Sequence, residues 1–124
     1  GLLWSAPVCP ANGSSALELA NLVKKILLAS GFEPLLSFTL ASPRVLIAVI
    51  SIVFDRDVLG EDERALEASN ILNKNLQDSG FPPYRLGLQS MQYWEFYNKS
   101  TMLTQLEHVL DPQSFLSPGR YQWT

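Results

Sequence analysis

Tyr84 and Arg85 stand side by side, and their side chains offer complementary ways of holding a negatively charged oxygen. Arginine keeps its charge at any ordinary pH and presents a planar fork of donors, and a tyrosine hydroxyl can donate to the same acceptor. By residue type alone, the pair also fits a purely structural strand, with the tyrosine packed and the arginine solvated. Other chemistry-bearing residues are sparse. His108 is the only histidine and lies among Leu106, Glu107 and Val109, where a surface or helix-end position accounts for it. Cys9 is the only cysteine, so the chain can form no internal disulfide and no cysteine-based metal centre. Glu61-Asp62-Glu63 has no histidine or cysteine nearby and suits the positive end of a helix better than a metal ion. No metal site is expected. Arg120, near the chain end, reads by default as a solvated side chain. Asn12-Gly13-Ser14 and Asn98-Lys99-Ser100 match the glycosylation pattern, but without a signal peptide they are read as chance.

Any site must be positioned by the elements that the hydrophobic pattern predicts. Leu2 to Val8 reads as a short strand ending in the turn signal Pro10-Ala11-Asn12-Gly13. Ser15, three residues before Glu18, has the spacing of a capping box. The helix it opens, over about residues 15–30, puts Leu19, Leu22, Val23, Ile26 and Leu27 on one face and stops at Gly31. Leu35 to Leu40 is a strand, and after Ala41-Ser42-Pro43 the run Arg44 to Phe54 is the strongest strand in the chain, β-branched and apolar on both faces. One of its faces, Leu46, Ala48, Ile50, Ile52 and Phe54, should meet the helices. The other carries Val45, Ile47, Val49, Ser51 and Val53; if that face roofs a substrate, Val49 and Ser51 are the candidates for a substrate-pocket wall, and a face packed on another domain would look the same. A second helix runs from Glu61 to Ser79, with Ala65, Ala68, Leu72 and Leu76 inward and Gly80 as its stop. Past Pro82-Pro83, Tyr84 to Leu88 is expected to be the last strand. The order is β-α-β-β-α-β, an α+β class ferredoxin-like antiparallel sheet with two helices on one face.

Residues 89–124 fall outside that motif and read as a helical C-terminal tail. Ser90 would cap a helix carrying Met91, Tyr93, Trp94, Phe96 and Tyr97. Ser100 would cap another carrying Met102, Leu103, Leu106, Val109 and Leu110, stopped by Asp111-Pro112. The expected domains are therefore residues 1–88, the ferredoxin-like unit, and residues 89–124, an aromatic-rich tail that either wraps the unit's own sheet or packs on a partner domain.

Composition narrows the function classes. Apolar residues are 47% and charged residues 17% of 124, which supports a real core and excludes disorder. A net charge of −3 and a pI near 5.0 provide no basic footprint for nucleic acid or anionic lipid. The strand over residues 45–54 lacks the basic and stacking residues of an RNA-binding sheet. The longest apolar run is too short to span a bilayer, and no signal peptide is visible, so no membrane partner is expected and an intracellular location is. The abrupt start, Gly1 followed at once by Leu2-Leu3-Trp4, reads as a chain cut from something longer.

Tyr84-Arg85, the aromatic tail and "VLDPQSFLSPGR" over residues 109–120 together resemble the C-terminal end of the vanillyl-alcohol oxidase and p-cresol methylhydroxylase family. "LLWSAPV", "SFTL" and "AVISIVFDR" are similar to strands of that family's cap domain, so the resemblance covers nearly the whole chain. It implies a cap-domain fragment of a flavin-dependent oxidoreductase. In such enzymes FAD sits in a separate domain of the same protein, a para-substituted phenol binds as its phenolate, and hydride leaves the benzylic carbon for the flavin. It also implies that Tyr84 and Arg85 are catalytic, stabilising the phenolate, and that Arg120 is cofactor-binding, near the flavin's pyrimidine edge. The partners it implies are a phenolic small molecule and the FAD-binding domain; a homo-oligomer is allowed. A proline stands at position 83 where the family usually has an acidic or small polar residue, and the upstream catalytic carboxylate is absent. A free-standing ferredoxin-like module that binds a ligand or protein without catalysis is the alternative.

Overall fold

The computed structural model describes residues 1–87, 101–113 and 115–116. The chain divides into two compact units, Gly1–Arg85 and Leu86–Thr124.

The first unit holds β1 (Leu2–Ser5), β2 (Val8–Pro10), α1 (Gly13–Ala29), β3 (Leu35–Ser42), β4 (Val45–Val53) and α2 (Glu61–Asp78). β4 is the central strand. β1 and β2 pair antiparallel with one of its edges and β3 antiparallel with the other. β1 and β2 keep one register on β4, from Leu2 opposite Val53 to Pro10 opposite Val45. They are one strand interrupted at Pro7, where the expected continuous strand breaks. The Pro7 carbonyl accepts from the Ala48 amide at 2.9 Å, but proline has no amide to return the bond.

The expected last strand over residues 84–88 is not a strand. The chain instead makes one antiparallel bridge, Pro7 to Pro83, flanked by bonds from the Val8 amide to the Pro82 carbonyl (2.7 Å) and from the Tyr84 amide to the Ala6 carbonyl (2.6 Å). Two consecutive prolines supply no donors, so the ladder can go no further. Leu88 lies outside the described residues. Across the sheet the order is therefore the 82–84 segment, β1/β2, β4, β3, which is the ferredoxin-like arrangement.

Both helices pack on one face. Leu19, Val23, Ile26 and Leu27 of α1 and Ala65, Ala68, Leu72 and Leu76 of α2 bury against Ala48, Ile50, Ile52 and Phe54. The Ser5 hydroxyl donates to Asn73 Oδ1 of α2 at 2.8 Å, a polar pin between sheet and helix. The start of α1 differs from expectation. Asn12, in extended conformation, is the cap and accepts from the Ser15 amide at 2.8 Å, so Ser15 lies inside the helix. Both helices end in Ser-Gly-Phe. Gly31 and Gly80 take positive φ (79° and 77°), and the amides of Phe32 and Phe81 reach back to the Leu27 and Leu76 carbonyls at 2.9 Å. Both phenylalanines are buried, and because the two helices run antiparallel they close opposite ends of the core.

In the second unit α3 spans Thr101–Leu110. The buried Asp111 carboxylate accepts from the amides of Phe115 (3.0 Å) and Leu116 (2.7 Å), fixing the turn that follows. The Ser90 helix, the Ser100 cap and the chain end beyond Leu116 lie outside the described residues. Among the described residues no helix is long and apolar enough to cross a membrane.

Candidate functional site

The second face of the sheet carries no helix of the first unit. Antiparallel partners share a face, so Leu2, Trp4 and Val8 line up there with Val53, Ser51 and Ile47, and these in turn with Leu35 and Thr39. Val49 stands between Ser51 and Ile47 and pairs with Ser37. The face is apolar with three hydroxyls, and Val49 and Ser51 are half-buried on it.

Tyr84 reaches this face through its backbone bond to Ala6. The register opposite Ala6 places it in one row with Ala6, Val49 and Ser37. Its side chain is exposed, as is that of Arg85. The ion pair among the described residues joins Glu61 to Arg64, at 2.8 Å, so no carboxylate there occupies the Arg85 guanidinium. Of the expected site residues, Tyr84, Val49 and Ser51 thus share one sheet face and Arg85 adjoins it, while Arg120 lies outside the described residues.

Trp4 has no role in the sequence reading, yet it belongs beside this site. It stands directly opposite Ser51, and as the residue two before Ala6 it is the diagonal neighbour of Tyr84, about 7–8 Å between Cα positions. Trp4 and Tyr84 are each 63% exposed, so neither ring is covered by the first unit. The alternation Leu2-Trp4-Ala6 could have put Trp4 on this face, but its nearness to Tyr84 depends on pairing between distant segments.

The arrangement can receive a flat aromatic ring and hold an anionic oxygen at the Arg85 end. It contains no general base on the face itself. Cys9 is buried on the opposite, helix-covered side, where burial pushes its thiol pKa up and leaves it unreactive. Among the described residues no group of His, Cys, Asp and Glu could hold a metal ion.

The described residues do not fit the pyrophosphate of FAD. The N-terminus of α1 is satisfied by the Asn12 side chain, and that of α2 begins Glu61, Asp62, Glu63, which would repel a phosphate.

No protein-family model matches the chain. Over 99% of its length it is 34% identical to 1'-carboxy-chondrochloren decarboxylase of Chondromyces crocatus. Over 97% it is 31% identical to the 4-cresol dehydrogenase (hydroxylating) flavoprotein subunit of Pseudomonas putida. The chain spans 23% of the length of each of these relatives. Among solved structures, p-cresol methylhydroxylase with substrate bound matches 99% of the chain at TM-score 0.84 and 28% identity, over 24% of its own length. The 4-ethylphenol oxidase of Gulosibacter chungangensis, in complex with isoeugenol, matches 99% at TM-score 0.81, over 25% of its length. At 22% identity this second match bears on the fold alone.

Proposed function

We propose that this chain, a homologue of about a quarter of the 4-cresol dehydrogenase flavoprotein subunit, is the substrate-capping segment of a flavin-dependent oxidoreductase that oxidises para-substituted phenols. In this reading the open sheet face covers the phenol, Arg85 and Tyr84 hold its oxygen as the phenolate, and Val49 and Ser51 form pocket wall. The hydride acceptor is FAD held by polypeptide outside this chain, in keeping with the poor fit of the residues here to a pyrophosphate. Arg120 stands at the flavin's pyrimidine edge, and the tail packs on the FAD-binding domain.

The observation that carries the reading is the Tyr84-Arg85 pair, tied by the Tyr84 amide to Ala6 at the margin of an apolar face that carries no helix of the first unit, in a chain whose relatives include a cresol dehydrogenase. A phenolate that leaves water loses its hydration and needs replacement donors. A charged fork in a dry pocket supplies them, lowers the phenol's pKa and prepares negative charge before hydride departs.

The reading also makes the isolated chain inactive. Purified alone, it should show no flavin absorbance and no turnover of 4-cresol or vanillyl alcohol. Added FAD should bind only when the remainder of the flavoprotein is supplied. Stoichiometric flavin on the chain alone would overturn this assignment and favour a self-sufficient domain.

A further inference from the structure

Asn12-Gly13 carries chemistry that the proposed function does not use. A backbone amide nitrogen can attack the side-chain carboxamide of the asparagine before it. For that, the nitrogen must be unhindered, it must be free of an acceptor, and the backbone must be able to turn it towards Cγ. The chain has asparagines at positions 12, 21, 70, 73, 75 and 98, and Asn12 alone is followed by glycine. The others precede leucine, isoleucine or lysine, whose side chains crowd the attacking nitrogen.

Asn12 also differs in what holds the next amide. It caps α1, so the Gly13 amide lies ahead of the first helical bond, from the Ala16 amide to the Asn12 carbonyl at 3.2 Å. Among the described residues the Gly13 amide has no acceptor. Asn21, Asn70, Asn73 and Asn75 lie inside α1 or α2, where the following amide is tied into the helical ladder. The Asn75 carboxamide is held further by its bond to the Ile71 carbonyl at 2.8 Å. At Asn12 ψ is 157° and must rotate for attack. Gly13 can absorb that turn, being glycine in open space where even an added Cβ would meet nothing within 4 Å. The electrophile is prepared as well. Asn12 Oδ1 accepts from the Ser14 hydroxyl at 2.7 Å and the Ser15 amide at 2.8 Å, two donors that would stabilise negative charge forming on that oxygen.

We propose that Asn12 is a self-modification site, converted by spontaneous deamidation into an acidic residue. The Gly13 nitrogen gives its proton to water and bonds to Asn12 Cγ. The bond from Cγ to Nδ2 breaks, and Nδ2 leaves as ammonia, so that a cyclic imide remains. Water then opens the imide at one of its two carbonyls. Opening at Cγ produces an aspartate at position 12; opening at the main-chain carbonyl produces an isoaspartate. The net exchange is water for ammonia, and nothing is oxidised or reduced. Either product sets a carboxylate at the positive end of α1. The aspartate keeps the cap. The isoaspartate inserts a methylene between α1 and the bond that ties the Ala11 amide to the Arg44 carbonyl.

Ageing of the folded 124-residue chain in neutral buffer, followed by peptide mapping with mass spectrometry, tests this. The peptide holding Asn12 should acquire the mass of an NH2-to-OH exchange ahead of every other asparagine, with isoaspartate among the products. Gly13→Ala fits the open space at this position, so α1 should still form, and conversion should slow by about tenfold or more. An Asn12 that stays intact while another asparagine converts overturns the proposal. So does a Gly13→Ala chain that converts as fast as the parent, since the Gly13 nitrogen would then not be the nucleophile. Aspartate without any isoaspartate would assign the change to direct hydrolysis and overturn the imide route. The mapping is made on the unaltered chain, so it decides the matter even where the variant fails to fold.

Discussion

Pro7 faces Pro83 across the edge of the sheet in a bridge that asks neither residue for an amide. The bonds fall instead on their neighbours, Val8 to Pro82 and Tyr84 to Ala6. In an antiparallel ladder the non-hydrogen-bonded pair is where two prolines can oppose each other without loss. That pairing sets the height at which Tyr84, and Arg85 after it, leave the sheet.

Arg85 carries the functional prediction. In the flavoprotein that the proposed function implies, Arg85→Ala should slow flavin reduction by phenols by about a hundredfold or more, since an anion in a dry pocket would lose its paired charge. Lysine should restore only part, keeping charge without the fork. Reoxidation of pre-reduced enzyme should stay near normal. Stopped-flow measurement of the two half-reactions separates them, and an unimpaired reduction step in Arg85→Ala would make the pair structural.

The Ser5–Asn73 pin should be worth about 1 kcal/mol. Asn73→Ala leaves a partly buried hydroxyl without its acceptor, and Ser5→Ala should then cost little more. A double-mutant cycle by urea unfolding reads the coupling; strict additivity would show that the 2.8 Å contact contributes nothing.

Leu72 is fully buried between α2 and the sheet. Leu72→Ala should destabilise the first unit by roughly 2–5 kcal/mol through lost transfer energy and a residual cavity. Denaturant titration should show a lower midpoint at unchanged slope.

Cys9 gives a pH prediction with a definite sign. Burial raises its pKa in the folded chain, so the folded state keeps a proton that the unfolded state releases. Its contribution is fully present below the ordinary thiol pKa and is lost as pH rises from there through the raised folded value. Unfolding free energy should therefore fall over that alkaline window, and Cys9→Ala should flatten the fall. Thiolate absorbance should appear at higher pH in the native than in the denatured chain.

The elements were legible where local pattern and packing agree. β4 alternates a helix-side row with an outer row because the pleat sends successive side chains to opposite faces, and α1 and α2 show their buried stripes directly. Pro7 was visible as a residue without a donor. Its effect was not, because the lost bond concerns Ala48, far away in sequence. The expected strand after Pro83 failed for a related reason: Tyr84 has β-forming character, but the two prolines before it leave only one rung to build. Tyr84-Arg85 was singled out by the family resemblance, and its role belongs to the proposed function. The position of Trp4 beside it arises from two separate strand pairings, which no local pattern encodes.

The bond from the Tyr84 amide to the Ala6 carbonyl joins nearly the two ends of the first unit. It is therefore among the last contacts a folding chain can close and among the first that fraying at the start of the strand would open. Release of residues 1–6 would free Tyr84 while Leu19, Ile50 and Leu72 stay packed. Under mild heating or dilute denaturant, the Tyr84 amide should then lose its exchange protection before any loss of helical signal, so that the Tyr84-Arg85 corner comes loose while the chain still counts as folded.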